Sequence, residues 1–264
     1  MPHKEKVALI TGSSRGIGRG IAIKLAKENF TVIINSRTAD PTNFTKGAYE
    51  VKKTIEDIGG KAEIFRADIS SLEERESMAN FIENRFGRLD LLVNNAGIEP
   101  DQLDILESSE ERFDHTFNTN LKGPYFLTKR LAKKMLNWKN NGIIESAYII
   151  FITSVQGHMA NPLGAEYCMT KAALHMATKL FAQRLAEDNI LVFEIRPGVI
   201  MSDMSLIWKE NIDKMISSGK VLTRRWGQPD DIAKIVSCIS KGYFDYSTGE
   251  TIEVDGGMGI SRLG

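Results

Sequence analysis

The sequence predicts an α/β fold, a single-domain Rossmann-type doubly wound sheet of about seven parallel strands with helices on both faces. Three observations predict it. Short apolar runs alternate with longer stretches of helical period; several of the runs are apolar throughout, as strands covered on both sides require; and no repeat, low-complexity tract or linker breaks the order over residues 1–264.

Taken in order, the first strand is expected at 7–11, and it runs through a glycine-rich turn into a helix striped by Ile17, Ile21 and Leu25. Strands follow at 31–35, 62–66 and 89–93, the last two separated by a helix whose apolar face is Met78, Phe81, Ile82 and Phe86 and whose charged face at 73–76 meets solvent. The fifth strand is expected at 147–153 and the sixth at 191–195, joined by a helix with Leu174, Ala177, Phe181 and Leu185 inward; the seventh is expected at 251–254. Two stretches break the period, 38–45 after the second strand and 199–219 after the sixth. Both follow carboxyl ends of strands, where open α/β sheets bind ligands. The second, with Met201, Met204, Leu206, Ile207, Trp208 and Met215, reads as an adaptable substrate lid.

Composition narrows the partners. The 264 residues carry 34 Lys+Arg against 34 Asp+Glu, so the basic surplus that phosphate-backbone binding requires is missing and nucleic acid is not an expected ligand. Two distant cysteines, Cys168 and Cys238, and four histidines form no metal-ligand spacing, so no metal site is expected. No signal-peptide pattern opens the chain and no run approaches the ~18 apolar residues of a membrane span, which points to a cytoplasmic protein with no membrane partner.

The turn after the first strand reads Thr11-Gly12-Ser13-Ser14-Arg15-Gly16-Ile17-Gly18. Glycines stand where a backbone must turn sharply and approach a pyrophosphate seated at a helix N-terminus, so a nucleotide is expected there. The end of the second strand, where a carboxylate would accept from a ribose 2′-hydroxyl, instead has Ser36 and Arg37. A guanidinium suits a 2′-phosphate, and Arg15 can add a second, so NADPH is expected in preference to NADH. At the same sheet edge Asp68-Ile69 can meet the adenine, Asp68 serving equally as a cap for the helix that follows, and Asn94-Asn95-Ala96-Gly97 leaves room for ribose and nicotinamide.

Ser154 follows the fifth strand, and Tyr167 and Lys171 stand four apart on a helix, one turn from each other on one face. To exchange protons near neutrality, a phenol of reference pKa about 10 needs its anion favoured by roughly 4 kcal/mol. A unit charge about 4 Å away at an effective dielectric of about 20 supplies that order of energy. Ser154 is placed to hydrogen-bond a substrate oxygen. Gln156 and His158 fall where side chains can line a pocket, without an assigned role.

These residues resemble the short-chain dehydrogenase/reductase family over nearly the whole chain. The 11–18 turn is similar to its TGxxxGxG segment, 94–97 to its NNAG motif, and Ser154, Tyr167 and Lys171 to its Ser-Tyr-Lys trio. The resemblance implies Tyr167 as general acid/base, Ser154 orienting the carbonyl, Lys171 binding the nicotinamide ribose, and Asn120 as a fourth catalytic residue in a proton relay. It also implies a turn beside the nicotinamide at Pro197-Gly198, followed by Ile200 and by Ser202, whose hydroxyl stands where relatives carry threonine. The stretches 227–233 and 254–257 most resemble the 3-oxoacyl-(acyl-carrier-protein) reductase-like members, whose relatives pair their long helices as homotetramers. The expectation is an NADPH-dependent reductase of a ketone or aldehyde, with a 3-oxoacyl-thioester-like substrate. The alternatives are a non-catalytic NADP(H)-sensing module and a dehydrogenase of a sugar or other secondary alcohol.

Overall fold

In the computed structural model, which describes residues 5–262, seven strands form one sheet, all parallel, in the order β3-β2-β1-β4-β5-β6-β7. They are β1 (Lys6–Ile10), β2 (Phe30–Ser36), β3 (Lys61–Arg66), β4 (Leu91–Asn94), β5 (Ala147–Ile152), β6 (Ile190–Pro197) and β7 (Thr251–Val254). Residues 1–4, part of the stretch read for a targeting signal, and 263–264 lie outside the described residues.

Alternation along the strands divides the core into two faces. Ala8, Ile10, Val32 and Ile34 pack under α1 (Gly16–Ala26), α2 (Ala48–Asp57) and α9 (Pro229–Ser240), meeting Ile21, Leu25, Val51, Ile55, Ile232 and Val236. Val7, Leu9 and Ile33 face the other way, under α3 (Leu72–Phe86), α5 (Gly123–Asn140) and α6 (Ala165–Leu185), with Met78, Ile82, Leu127, Leu131 and Leu174. This is the doubly wound arrangement the apolar runs predict. The chain order places the turns after β1, β2, β4, β5 and β6 along one edge of the sheet, with α4 (Glu110–Phe117) leading into α5.

Four strands shift from their expected bounds by a single residue at one or both ends, β7 keeps them, and β4 and β6 depart further. β4 begins at Leu91, because Asp90 is spent on a lead-in turn: its carboxylate accepts from the Val7 N–H at 2.8 Å and from Arg88. β6 runs on to Pro197, past Arg196, the charge that follows the expected 191–195 run, with Glu194 already inside it. Both are buried, and they pair with each other at 3.1 Å. The aperiodic 199–219 stretch contains two short helices, α7 (Asp203–Leu206) and α8 (Lys209–Ser217). No helix among the described residues is long and apolar enough to cross a membrane.

Candidate active site

The site grows from the carboxyl ends of β1, β4 and β5. Thr11 follows β1, its hydroxyl accepting from the N–H groups of Asn95 and Ala96, both at 3.0 Å, which ties the glycine turn to the end of β4. Asn95 returns the contact by donating from Nδ2 to the carbonyls of Thr11 and Gly12. Asn35, at the end of β2, accepts from the Gly12 N–H at 3.3 Å and donates to the Phe65 and Ala67 carbonyls, so three strands share one buried amide. A polar residue closing an otherwise apolar strand is the signal by which Asn35 is recognisable in the sequence.

Gly12 and Gly16 have positive φ of 64° and 54°, and a Cβ on Gly12 would lie 2.8 Å from the Ala96 Cα. Gly18, buried within the turn, has no room for a side chain: a Cβ there would stand 2.5 Å from Asn95 Nδ2 and from the Gly12 carbonyl. The glycines therefore let the turn lie flat against β4 and open a cleft of about 820 Å³ in front of it. Gly12, Ser14, Arg15, Gly16 and Ile17 line one end with Ser36 and Arg37, followed by Ile69, Ala96 and Gly97. Tyr167, Lys171 and Ser202 line the other end. Ser36 donates to Ser14 Oγ at 3.1 Å, while Arg37 is exposed. Arg15 makes only a long, exposed ion pair of 3.8 Å with Asp203 at the start of α7. Asn95 of the 94–97 stretch and Met204 of the expected lid also line the cleft, together with Lys46, which sequence reasoning did not single out.

Several of the expected cofactor residues stand behind the wall. Asn94 turns away, donating to Thr128 Oγ1 at 2.8 Å, and Asn95 takes the structural place beside the turn. Asp68 accepts from the N–H and hydroxyl of Ser70, while Ser71 caps α3. Pro197 closes β6, Gly198 packs against the Asp255 backbone and Ile200 bridges to Gly227; Ser202, which does line the cleft, also caps α7 in a reciprocal bond with Ser205.

At the far end, Ser154, Tyr167 and Lys171 come together, each nine-tenths buried. The Lys171 ammonium lies 5.3 Å from the centre of the Tyr167 ring and donates to the Ile152 carbonyl at 3.0 Å. Ser154 caps a 3₁₀ turn, Val155–Gly157, its hydroxyl accepting from the Gln156 N–H at 3.2 Å. Asn120 sits in a π-helical turn, Asn118–Lys122, that carries its side chain back to β4, where it accepts from the Ile98 N–H at 2.8 Å and donates to the Ile98 carbonyl at 2.7 Å. Gln156 donates to Glu99 at 3.0 Å, and His158 faces Arg196 rather than the cleft.

The electrostatics differ from the expectation built on Lys171. Burial, reinforced by the charge of Glu99, pushes the Tyr167 phenol above its ordinary range, with the Ser154 hydroxyl acting against it. Burial also pushes Lys171 down to about 8, opposed by Glu99 and Glu194. The trio has the predicted placement, but the chain's own groups favour a protonated phenol. That suits a proton donor.

The model of the short chain dehydrogenase family matches residues 6–213. The 3-oxoacyl-(acyl-carrier-protein) reductase of Staphylococcus epidermidis is 35% identical, covering 96% of this chain and 98% of its own. A diacetyl reductase, (S)-acetoin forming, from the same species is 30% identical, over 96% of this chain and 98% of its own. Among solved structures, a 3-oxoacyl-(acyl-carrier protein) reductase from Brucella melitensis in complex with NAD superposes with a TM-score of 0.92 at 35% identity, covering 99% of this chain and 100% of the other. A variant of actinorhodin polyketide ketoreductase with NADPH gives 0.86 at 28% identity, covering 97% and 98%.

Proposed function

Because the chain belongs to the short-chain dehydrogenase family, and is thus an oxidoreductase acting on CH-OH and C=O groups, we propose that it is an NADPH-dependent carbonyl reductase with Tyr167 as general acid. The observation that carries the reading is the buried meeting of Tyr167, Ser154 and Lys171 at the end of a cleft that starts at the glycine turn.

The residues fit a dinucleotide. The flat turn at Gly12 and Gly16 offers backbone N–H groups to a pyrophosphate, and Arg37 and Arg15 stand free enough to take a 2′-phosphate between them. That relatives of this fold are solved with NAD and with NADPH supports a dinucleotide as the ligand. When bound, the nicotinamide supplies the hydride. Tyr167 gives its proton to the carbonyl oxygen, a step favoured by a phenol held protonated. Ser154 donates to the same oxygen as charge gathers on it. Lys171, anchored to Ile152, holds its cation by the ring and eases the phenolate that remains. Asn120, bonded to Ile98 on both sides, fixes the floor beneath Lys171 and closes a proton route past Thr170. The segment 199–219 acts as the lid, touching the glycine turn where Arg15 meets Asp203.

For substrate we propose a small ketone or aldehyde, with 3-oxoacyl thioesters in the range that the Staphylococcus relative's name suggests. We further propose a cytoplasmic homotetramer in which the exposed Tyr125 and Phe126 of α5 and Met176 and Leu180 of α6 are covered by other copies. Light scattering should give a mass near 118 kDa, four chains of 29.5 kDa. The deciding experiment is Tyr167→Phe: NADPH affinity should stay within about twofold while turnover falls by ~10²-fold or more. Substantial residual turnover rejects the acid; NADPH binding without consumption across ketones, keto sugars and 3-oxoacyl thioesters would favour a sensor.

A further inference from the structure

Beside the phenol stands a carboxylate that the reaction as described does not use. Glu99 follows Gly97 and Ile98, the two residues that meet Asn120 and Lys171: a Cβ on Gly97 would lie 3.3 Å from Asn120 Oδ1 and 3.7 Å from Lys171 Nζ. From across the site, Gln156 Nε2 donates to Glu99 Oε1 at 3.0 Å. Gln156 is itself held firmly. Its N–H donates to Ser154 Oγ at 3.2 Å, and its Oε1 accepts from Asn161 Nδ2 at 3.1 Å and from the thiol of Cys168, the neighbour of Tyr167, at 3.6 Å. With that oxygen engaged as acceptor, the amide group has to point its N–H toward Glu99. One carboxylate oxygen is thereby tied through Gln156 to Ser154, at the edge of the cleft that Gly97 and Ile98 line.

The other oxygen is not engaged. Among the described residues no hydrogen bond reaches Glu99 Oε2 and no cation comes within ion-pair distance of the half-buried side chain. Its charge is nonetheless felt at both Tyr167 and Lys171. A mere buttress for Gln156 needs one neutral acceptor. A charged group with a spare acceptor beside a proton donor does more: it penalises any ligand that leaves it unpaired, and any ligand that brings a second negative charge.

We propose that Glu99 selects the substrate: its free oxygen accepts a hydrogen bond from a hydroxyl borne next to the carbonyl being reduced, and its charge turns away carbonyl compounds whose neighbouring group is an anion. The proposal rests on the reductase reading above and names its substrate class, neutral hydroxycarbonyl compounds such as hydroxyketones and keto sugars, ahead of plain ketones and of 2-oxo acids. A site built to pair a hydroxyl discriminates strongly against the analogue that lacks it, because the acceptor is then stranded.

The test is NADPH oxidation by wild type, Glu99→Gln and Glu99→Asp with three four-carbon compounds: acetoin, butanone and 2-oxobutyrate. Wild type should favour acetoin over butanone in kcat/KM by about tenfold, the effect of one hydrogen bond to a charged acceptor. In Glu99→Gln that ratio should fall to within about twofold of unity, and 2-oxobutyrate should gain about tenfold relative to butanone. Glu99→Asp keeps the charge but withdraws it by one methylene, so it should lose the acetoin preference while still discriminating against 2-oxobutyrate; it also serves if the glutamine variant folds poorly. The ratios are taken within one preparation, so a loss of fold or of general activity does not move them. A wild-type preference for butanone, or ratios in Glu99→Gln within twofold of wild type, overturns selection by Glu99 and leaves the reductase reading standing. Failure of wild type to consume NADPH with any of these compounds or with the wider panel above overturns both.

Discussion

Lys171 shows how far spacing can be read as chemistry. Its place one turn from Tyr167 is legible in the sequence, since four helical positions return to the same face. The direction of the phenol's shift is not, because burial is a property of everything packed around the ring and outweighs one cation. With Lys171 brought down to about 8, its charge is lost just above neutrality. We therefore expect kcat/KM for reduction to be level below about 8 and to decline above it, and Lys171→Arg, whatever its absolute rate, to lack that decline; a pH–rate profile checks both. At the opposite end of the cleft, Arg37 is legible as a cation where a carboxylate would select NADH. Removing its fork in Arg37→Ala should lower the NADPH/NADH ratio of kcat/KM by about tenfold or more, with the NADH value itself little changed, as steady-state kinetics with both cofactors will show.

Among the elements, the turn joining β1 to α1 bears the tightest constraint. The sequence marks it by its glycines, yet which of them touch a ligand and which touch protein depends on the β4 end lying against them. Gly18 belongs to the second group. Gly18→Ala should cost about 2 kcal/mol or more and abolish NADPH binding together, because the new methyl displaces Asn95 and the whole turn with it. Thermal melts with and without NADPH measure both effects. The same reasoning separates Asn94 from Asn95, which the sequence reads together: alternation sends Asn94 to Thr128 in the core and leaves its neighbour at the turn. β6 was foreshortened in the sequence for a related reason, since a charge reads as a strand end unless its buried partner is known.

Across the whole molecule, those buried charges join the sheet to α6 and to the site. Glu194 is fully buried and accepts from Thr153, His175 and Thr251 at 2.6, 2.6 and 2.8 Å, while Arg196 reaches Glu253. Burial on its own would raise the Glu194 carboxyl, but these donors and the Arg196 charge outweigh it and hold the group below its usual range. The stabilisation is present above about pH 4.3, the unfolded value, and is lost as the pH falls through the lower folded one. Glu194→Gln should cost about 3 kcal/mol near neutrality and flatten the acid limb of the stability curve, which denaturant melts across pH will reveal. The fold class, and the gathering of strand carboxyl ends along one edge, follow from parallel strands and are legible in the apolar runs; the order β3-β2-β1-β4-β5-β6-β7 is not, because apolar runs do not say which strands are neighbours. The same uniform direction leaves the molecule with a working rim and an idle one. Where helices hand the chain back to strands, as at Gly142 between α5 and β5, the backbone bends in open space far from the chemistry. That bend is a natural place to splice in a foreign loop, and an enzyme so extended should turn over at its original speed.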